Sequence, residues 1–273
     1  MRIDLHTHSN RSDGTDSPAE LIANAVKTEL DVVALTDHDS TEGWREAAKA
    51  AEKADITLVK GIEVSCLLDG KSIHLLGYNF DPGYAPLVTE LGRVIEGRNA
   101  RLPKTLERLR SLGIAIDESD VHRWSKNAVA TGRPHIADAL VELGVVANRD
   151  EAFEQFLMPG RPGYVDRYAA DLFEAIGLLR DAGGRAVVAH PWSRGSHRVL
   201  TATVIGELKE AGLSGLEVDH NDHDAEARSA LRYIARDLNL IVTGSSDYHG
   251  TGKINFDLGC NLTDPAQYHR LLG

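Results

Sequence analysis

The sequence predicts an α/β chain, a parallel β/α barrel interrupted by a helical insertion. Three observations predict it. Short apolar runs alternate with amphipathic helical segments at both ends of the chain. Those runs end in polar, histidine-rich tails, as they do where strand ends converge on one barrel mouth. Between about residues 81 and 163 the strand signal stops and only helical spacing remains, so residues 1–80 and 164–273 are read as barrel and 81–163 as a cap over its mouth.

Arg2 to Leu5 alternates apolar and polar, so His6 and His8 leave the first strand on the same side. The turn Ser12-Asp13-Gly14-Thr15 can fold a carboxylate back towards them, with Gly14 supplying backbone freedom. Ser17-Pro18-Ala19-Glu20 is a helix start with a capping box, and a helix to about Glu29 follows with Leu21, Ile22, Ala25 and Val26 on its apolar face. Asp31 to Leu35 reads as a doubly buried parallel strand ending in Thr36-Asp37-His38-Asp39. A helix from Thr41 to Ala54 leads to the strand Ile56–Val59, closing on Gly61-Ile62-Glu63-Val64, and Ser72–Tyr78 is the next strand.

Beyond the turn Asp81-Pro82-Gly83, helices are expected over 85–112, 118–125, 134–143 and 150–156. Arg93, Arg98, Arg101, Lys104, Arg108 and Arg110 read as a solvated helical face, with guidance of an anionic substrate as the alternative role. Trp124 and Tyr164 could stack on a base, but core packing is the simpler role for both. The β/α pattern resumes with a helix at 169–182, the strand Arg185–Ala189 ending in His190-Pro191, a helix at 201–211, and Gly215–Val218 followed by His220 to His223. A helix at 224–238 and the strand Leu240–Thr243 end in Gly244-Ser245-Ser246-Asp247-Tyr248-His249, and the chain closes from Lys253 to Leu262 with Gly259 and Cys260 as packing residues.

A hydrophobic share of 42% and a charged share of 26% are those of an ordinary globular protein. The net charge of −11 argues against a long electropositive groove for duplex nucleic acid. Cys66 and Cys260 are too few for a disulfide framework, and no signal peptide or membrane-length apolar run is visible, so a cytoplasmic protein that does not engage a membrane is expected.

Of 12 histidines, seven lie at or just after strand ends: His6, His8, His38, His74, His190, His220 and His249. Any one alone is as readily a hydrogen-bonded loop histidine. Together with Asp13, Glu63 and Asp247 they form a nitrogen and oxygen set large enough for two or three divalent cations.

The ordered series His6-x-His8-x4-Asp13-Gly14, Thr36-Asp37-His38, Gly61-x-Glu63, His74, Arg133-Pro134-His135, Ala189-His190-Pro191 and Ser246-Asp247-x-His249 resembles the motifs of the PHP (polymerase and histidinol phosphatase) superfamily. The helical insertion is similar to that of its stand-alone, TrpH-like phosphoesterases. The resemblance implies a distorted (β/α)7 barrel with a trinuclear site. It assigns His6, His8, Glu63 and Asp247 to one metal, Glu63 with His74 and His135 to a second, and Asp13, His38 and His249 to a third. The ligand types accept Mn, Fe or Zn.

Such a site would ionise water for in-line attack on phosphorus and bind the phosphoryl oxygens. Arg133 is the first candidate for a forked phosphate contact, with a surface salt bridge as the bland alternative. His190 is read as bonding the phosphoryl group or protonating the departing oxygen, His223 as a weaker substrate contact, and Asp37 as orienting a ligand imidazole. The resemblance implies a phosphoesterase acting on small phosphorylated substrates, nucleoside 3′,5′-bisphosphates or monophosphates first. Trimming of short oligonucleotides from the 5′ end and hydrolysis of histidinol phosphate are the enzymatic alternatives. A non-catalytic metal-binding module predicts eroded ligands and an appended partner domain, and neither is present in this sequence.

Overall fold

The computed structural model describes residues 1–273. Eight strands run β1 (Ile3–Asp4), β2 (Val32–Leu35), β3 (Thr57–Leu68), β4 (Lys71–Tyr78), β5 (Ala170–Asp171), β6 (Arg185–Ala189), β7 (Leu213–Asp219) and β8 (Ile241–Gly244). Ten helices run α1 (Pro18–Lys27), α2 (Trp44–Ala54), α3 (Ala85–Ser111), α4 (Glu118–Ser125), α5 (Arg133–Glu142), α6 (Arg149–Ala152), α7 (Leu172–Asp181), α8 (Ala202–Ala211), α9 (Ala225–Asp237) and α10 (Pro265–Leu272). The capping box of Ser17 and Glu20 starts α1 as its residues require, although Val26, expected on the buried face, is exposed.

The strands form a nearly closed barrel in the order β1, β2, β3, β4, β6, β7, β8, with short β5 paired to β3 off that path. The order is that of a β/α barrel, but β4 is antiparallel to both β3 and β6, so the sheet is not wholly parallel. The cause is local. Asp69 and Gly70 both have positive φ, 48° and 73°, the two-residue hairpin turn that an Asp-Gly pair favours, and Leu68 pairs directly with Lys71. The reversal brings His74 opposite Ser65 on one side and Ala189 on the other, beside the strand end that leads to His190.

Alternate residues point inwards. Ile3, Leu5, Val32, Ala34, Val59, Leu76, Tyr78, Val187, Ala189 and Ile241 fill the barrel, and Leu271 of α10 plugs its lower end. Asp264 caps α10 and Pro265 starts it, a helix for which the sequence carried a start signal that the reading to Leu262 stopped short of. A larger core lies between the sheet and the surrounding helices. The barrel closes through Thr263, almost fully buried: its N–H donates to Ile3 C=O at 2.9 Å, and its hydroxyl both accepts from Gly244 N–H at 3.0 Å and donates to Gly244 C=O at 2.8 Å. Cys260 is exposed rather than packed, and both cysteines are free thiols.

Helices α3 to α6 carry a second core of their own, including Leu106, Leu109, Ile136 and Leu140. The 27-residue α3 belongs to both units: Leu87, Leu91 and Val94 pack in the main core, Leu102, Leu106 and Leu109 in the second. Of the expected solvated face of α3, Arg93, Lys104, Arg108 and Arg110 are exposed, but two arginines are not. Arg98 and Arg101 are only 7% and 5% exposed, turned towards the barrel mouth. Trp124 is exposed, its indole N–H donating to Glu142, rather than packed in a core. No helix is long and apolar enough to cross a membrane.

Thr263→Val keeps the volume but leaves both Gly244 groups unpaired in a buried seam. We expect a loss of about 1–3 kcal/mol, read as a lower denaturant midpoint at unchanged m value.

Candidate metal centre

The first strand sets the geometry. Thr7 faces outwards, its hydroxyl donating to Ala34 C=O at 2.6 Å, so the flanking His6 and His8 point inwards and are fully buried. Gly14 is needed for space rather than for a left-handed backbone: a Cβ there would sit 2.5 Å from the His8 carbonyl oxygen. Its turn returns Asp13 to the mouth and is pinned by Asp37, whose carboxylate accepts from Ser9 N–H at 2.8 Å and from the hydroxyls of Ser9 and Ser12 at 2.7 Å. Ser12 Oγ lies 3.3 Å from His8 Nδ1, so Asp37 acts on the imidazole through that serine.

Glu63 sits at the centre, 1% exposed. One carboxylate oxygen lies 3.3, 3.1 and 3.0 Å from His6 Nε2, His8 Nε2 and His38 Nδ1. The other lies 2.7 Å from His74 Nδ1 and 3.3 Å from His190 Nε2. Asp247 Oδ1 is 3.5 and 3.4 Å from the same His6 and His8 nitrogens, and Asp13 reaches His249 Nε2 at 3.2 Å and His38 Nε2 at 3.6 Å. Burial pushes the Glu63 and Asp13 carboxyls up, but the imidazoles around them outweigh it and hold both well below the usual carboxylate range.

Three donor groups result, each with its atoms within 4.8 Å of one another: His8, Asp13, His38 and His249; His6, His8 and Asp247; His38, Glu63 and His74. They fit divalent cations. His6 Nε2 and His8 Nε2 face each other at 3.1 Å between two carboxylates, while buried Asp13 Oδ1 and His38 Nδ1, although 3.2 and 3.0 Å from His249 and Glu63, are not aligned for a hydrogen bond with them. A mixed imidazole and carboxylate set without thiolate is what Mn, Fe or Zn accept.

Glu217 was not singled out from the sequence, and His220 was counted in the donor set without a place of its own. Glu217, fully buried on β7, accepts from His6 Nδ1 at 3.0 Å and from His190 N–H at 2.8 Å. With the proton thus held on Nδ1, the lone pair of His6 is on Nε2, facing the centre. The signal was a carboxylate inside the apolar run Gly215–Val218. His220, counted among the strand-end histidines but given no role, accepts Asp222 N–H on Nδ1 and turns Nε2 onto Asp247 Oδ2 at 3.2 Å. Asp247 and His190 hold positive φ, 53° and 28°, uncommon for residues with a side chain and a local cost accepted at the mouth.

The remaining candidates fall outside the three groups. His135 is buried, but its Nδ1 accepts Gly132 N–H at 2.9 Å, so in this packing Nε2 carries the proton and offers no lone pair. His223 uses both ring nitrogens internally, on Val218 C=O at 2.9 Å and Trp192 N–H at 3.2 Å, which makes it a satisfied core histidine rather than a substrate contact. Arg133 forms no surface salt bridge. Its guanidinium donates to Leu157 C=O at 3.0 Å and lies against Phe153 and Tyr164, and burial, with Arg194 next in effect, lowers it to about 10. Arg101 is lowered too, by burial and then by Arg133, Arg167 and Arg98. Arg167 falls to about 9 through burial and Arg98. Only Arg98 has a carboxylate in hand, donating to Asp39 at 2.6 Å. Five arginines thus crowd beside the centre.

A model of the PHP domain matches residues 4–118. Over 257 residues the chain is 36% identical to a 3′,5′-nucleoside bisphosphate phosphatase of Chromobacterium violaceum, covering 94% of this chain and 90% of that one. It is 32% identical to a 5′-3′ exoribonuclease of Haemophilus influenzae, covering 91% and 90%. A solved structure from Bifidobacterium adolescentis, described as a metal-dependent phosphoesterase, superposes with a TM-score of 0.94 at 36% identity, covering 99% of this chain and 95% of that one.

Glu217 accepts two N–H donors, and an amide can accept only one without opposing the other. Glu217→Gln is therefore expected to weaken manganese binding about tenfold with the fold retained, as read by calorimetric titration and far-UV circular dichroism.

Proposed function

The chain belongs to the PHP family of metal-dependent phosphoesterases, and from that premise we propose that its substrates are small molecules bearing two phosphate groups, nucleoside 3′,5′-bisphosphates first. The observation that carries this is the arginine group. Arg101 is buried and Arg133 half-buried, and their strongest charged neighbours include other arginines. Burying like charges together is unfavourable unless an anion joins them. One phosphate at the donor groups and a second among Arg98, Arg101, Arg133, Arg167 and Arg194 would satisfy both. The same arginines disfavour histidinol phosphate, whose ammonium would lie among cations.

The proposed ligands are His6, His8, Asp13, His38, Glu63, His74, Asp247 and His249, for two or three ions of Mn, Fe or Zn. His135 joins them only by releasing Gly132. Held there, divalent cations supply the Lewis acidity that ionises water near neutral pH and offsets charge on the phosphoryl oxygens. The residues of the chain supply the rest. Glu63 and Asp247 orient the imidazoles, Glu217 fixes the tautomer of His6, and Arg133 presents a planar fork to phosphate. Burial lowers His190 to about 4, so near pH 7 its imidazole is neutral. A neutral imidazole there suits a hydrogen bond to the phosphoryl group. Residues 81–163 act as the cap that carries most of the arginines.

A 5′-3′ exonuclease acting on short oligonucleotides is the second reading, favoured by the Haemophilus relative and compatible with the same chemistry. The test is phosphate release from adenosine 3′,5′-bisphosphate, AMP, histidinol phosphate and a short 5′-phosphorylated oligonucleotide, with manganese and with chelator. We expect the bisphosphate to be preferred and chelator to abolish turnover. Greater activity on the oligonucleotide would select the second reading, and preference for histidinol phosphate would refute the role of the arginines. Asp247→Ala and His6→Ala should abolish hydrolysis without unfolding the chain. Arg133→Ala should raise KM for the bisphosphate about tenfold, the ~1.4 kcal/mol of one charge-assisted hydrogen bond, at unchanged metal content.

A further inference from the structure

Arg149 opens α6, and its guanidinium is used on every side. Nε and Nη2 form a fork on the Asp138 carboxylate, both at 2.6 Å. Nη1 points the other way, donating to Gly252 C=O at 3.1 Å and reaching Asp13 C=O at 3.5 Å. Asp138 lies on α5, one turn beyond His135. Asp13 and Gly252 lie on the two barrel loops that present Asp13 and His249. Those loops are themselves joined, since Thr15 N–H donates to His249 C=O at 3.1 Å and Thr251 N–H to Thr15 Oγ1 at 3.0 Å.

The packing at Gly252 shows how closely the guanidinium is seated. A Cβ there would lie 2.2 Å from Arg149 Nη1, although the Gly252 backbone is not left-handed. Any side chain at this position therefore displaces the guanidinium from its present seat on the loop.

We propose that Arg149 is a positioning residue that locks the helical insertion onto the loops of Asp13 and His249, so that seating the insertion and assembling that donor group are one event. The inference rests on reading His8, Asp13, His38 and His249 as metal ligands. Asp138 pre-orients the fork, and a lysine could not replace it, because one ammonium cannot grip a carboxylate in two places and still span to the carbonyls. Seating the insertion also brings Arg98 and Arg133 to the mouth, which links substrate capture to completion of the centre.

The test compares manganese affinity by calorimetry with amide hydrogen exchange of the metal-free full-length chain. Gly252→Ala adds one methyl against the guanidinium and removes no charge. We expect it to weaken manganese binding about tenfold and to speed exchange at 13–16, 133–138 and 249–252, with the remaining segments unchanged. Arg149→Met, Arg149→Lys and Asp138→Asn should do the same, and Arg149→Met with Asp138→Asn should be no worse than Arg149→Met alone. Wild-type affinity and exchange in Gly252→Ala would overturn the proposal, even if Arg149→Met failed to fold. Asp13→Ala separates the two levels: if it loses manganese while Gly252→Ala does not, the lock alone falls, and if it too binds like wild type, the ligand reading falls with it.

Discussion

A single buried carboxylate organises this structure. Glu63 meets five imidazoles, and they come from the end of β1, the loop after β2, β4 and the loop after β6. A carboxylate 1% exposed is tolerated only if its oxygens are paired. The pairing seen here requires four segments of the barrel to meet at one point. This explains why β4 must run backwards: a parallel strand at that position would reach the mouth at its other end and carry His74 away from Glu63. It also accounts for the left-handed backbone of His190, a cost of about 1–3 kcal/mol that its hydrogen bonds to Glu217 and Ser193 hold in place.

Around that point charge is sorted into layers. Carboxylates and imidazoles occupy the barrel mouth, and the arginines stand on the side of the insertion, where α3 is the shared beam between the two cores. Arg98 is the joint between the layers. Burial would raise the Asp39 carboxyl, but the guanidinium beside it holds it below its usual range, and the same side chain donates to Ser65 Oγ at 2.8 Å. Asp39 follows His38 and Ser65 lies two residues beyond Glu63, so displacing Arg98 would disturb ligand-bearing segments from both sides.

Most of the barrel could be read from the sequence because its signals are local. The capping box of Ser17 and Glu20, the doubly buried run of β2 and the strand Arg185–Ala189 appear where their residues indicate. The family was legible as an ordered series of motifs, and the residues of the three donor groups lie within that series, whereas His135 of the same series stands outside them. What failed to show was non-local. The direction of β4 was written in Asp69-Gly70, but hairpin and loop look alike until the partner strand is known. The burial of Arg98 and Arg101 could not be read, because helical spacing gives a face and not what the face meets. Glu217 was hidden by its apolar neighbours, and His223 shows the converse: a histidine beside functional ones that is consumed entirely by backbone groups.

The contrast between an acidic chain, −11 overall, and the arginines beside its centre bears on the substrates proposed above. Beyond about 8 Å at physiological salt, surface charge is largely screened. A molecule small enough to lie between the donor groups and the arginines would therefore respond to those groups, and hardly to the rest of the surface. A long polyanion would bring each further phosphate onto an acidic chain, so its penalty would grow with length while the attraction saturates. On the proposed reading a bisphosphate and the 5′ end of a short oligonucleotide are then neighbouring cases, separated by how far the ligand extends rather than by a different mechanism.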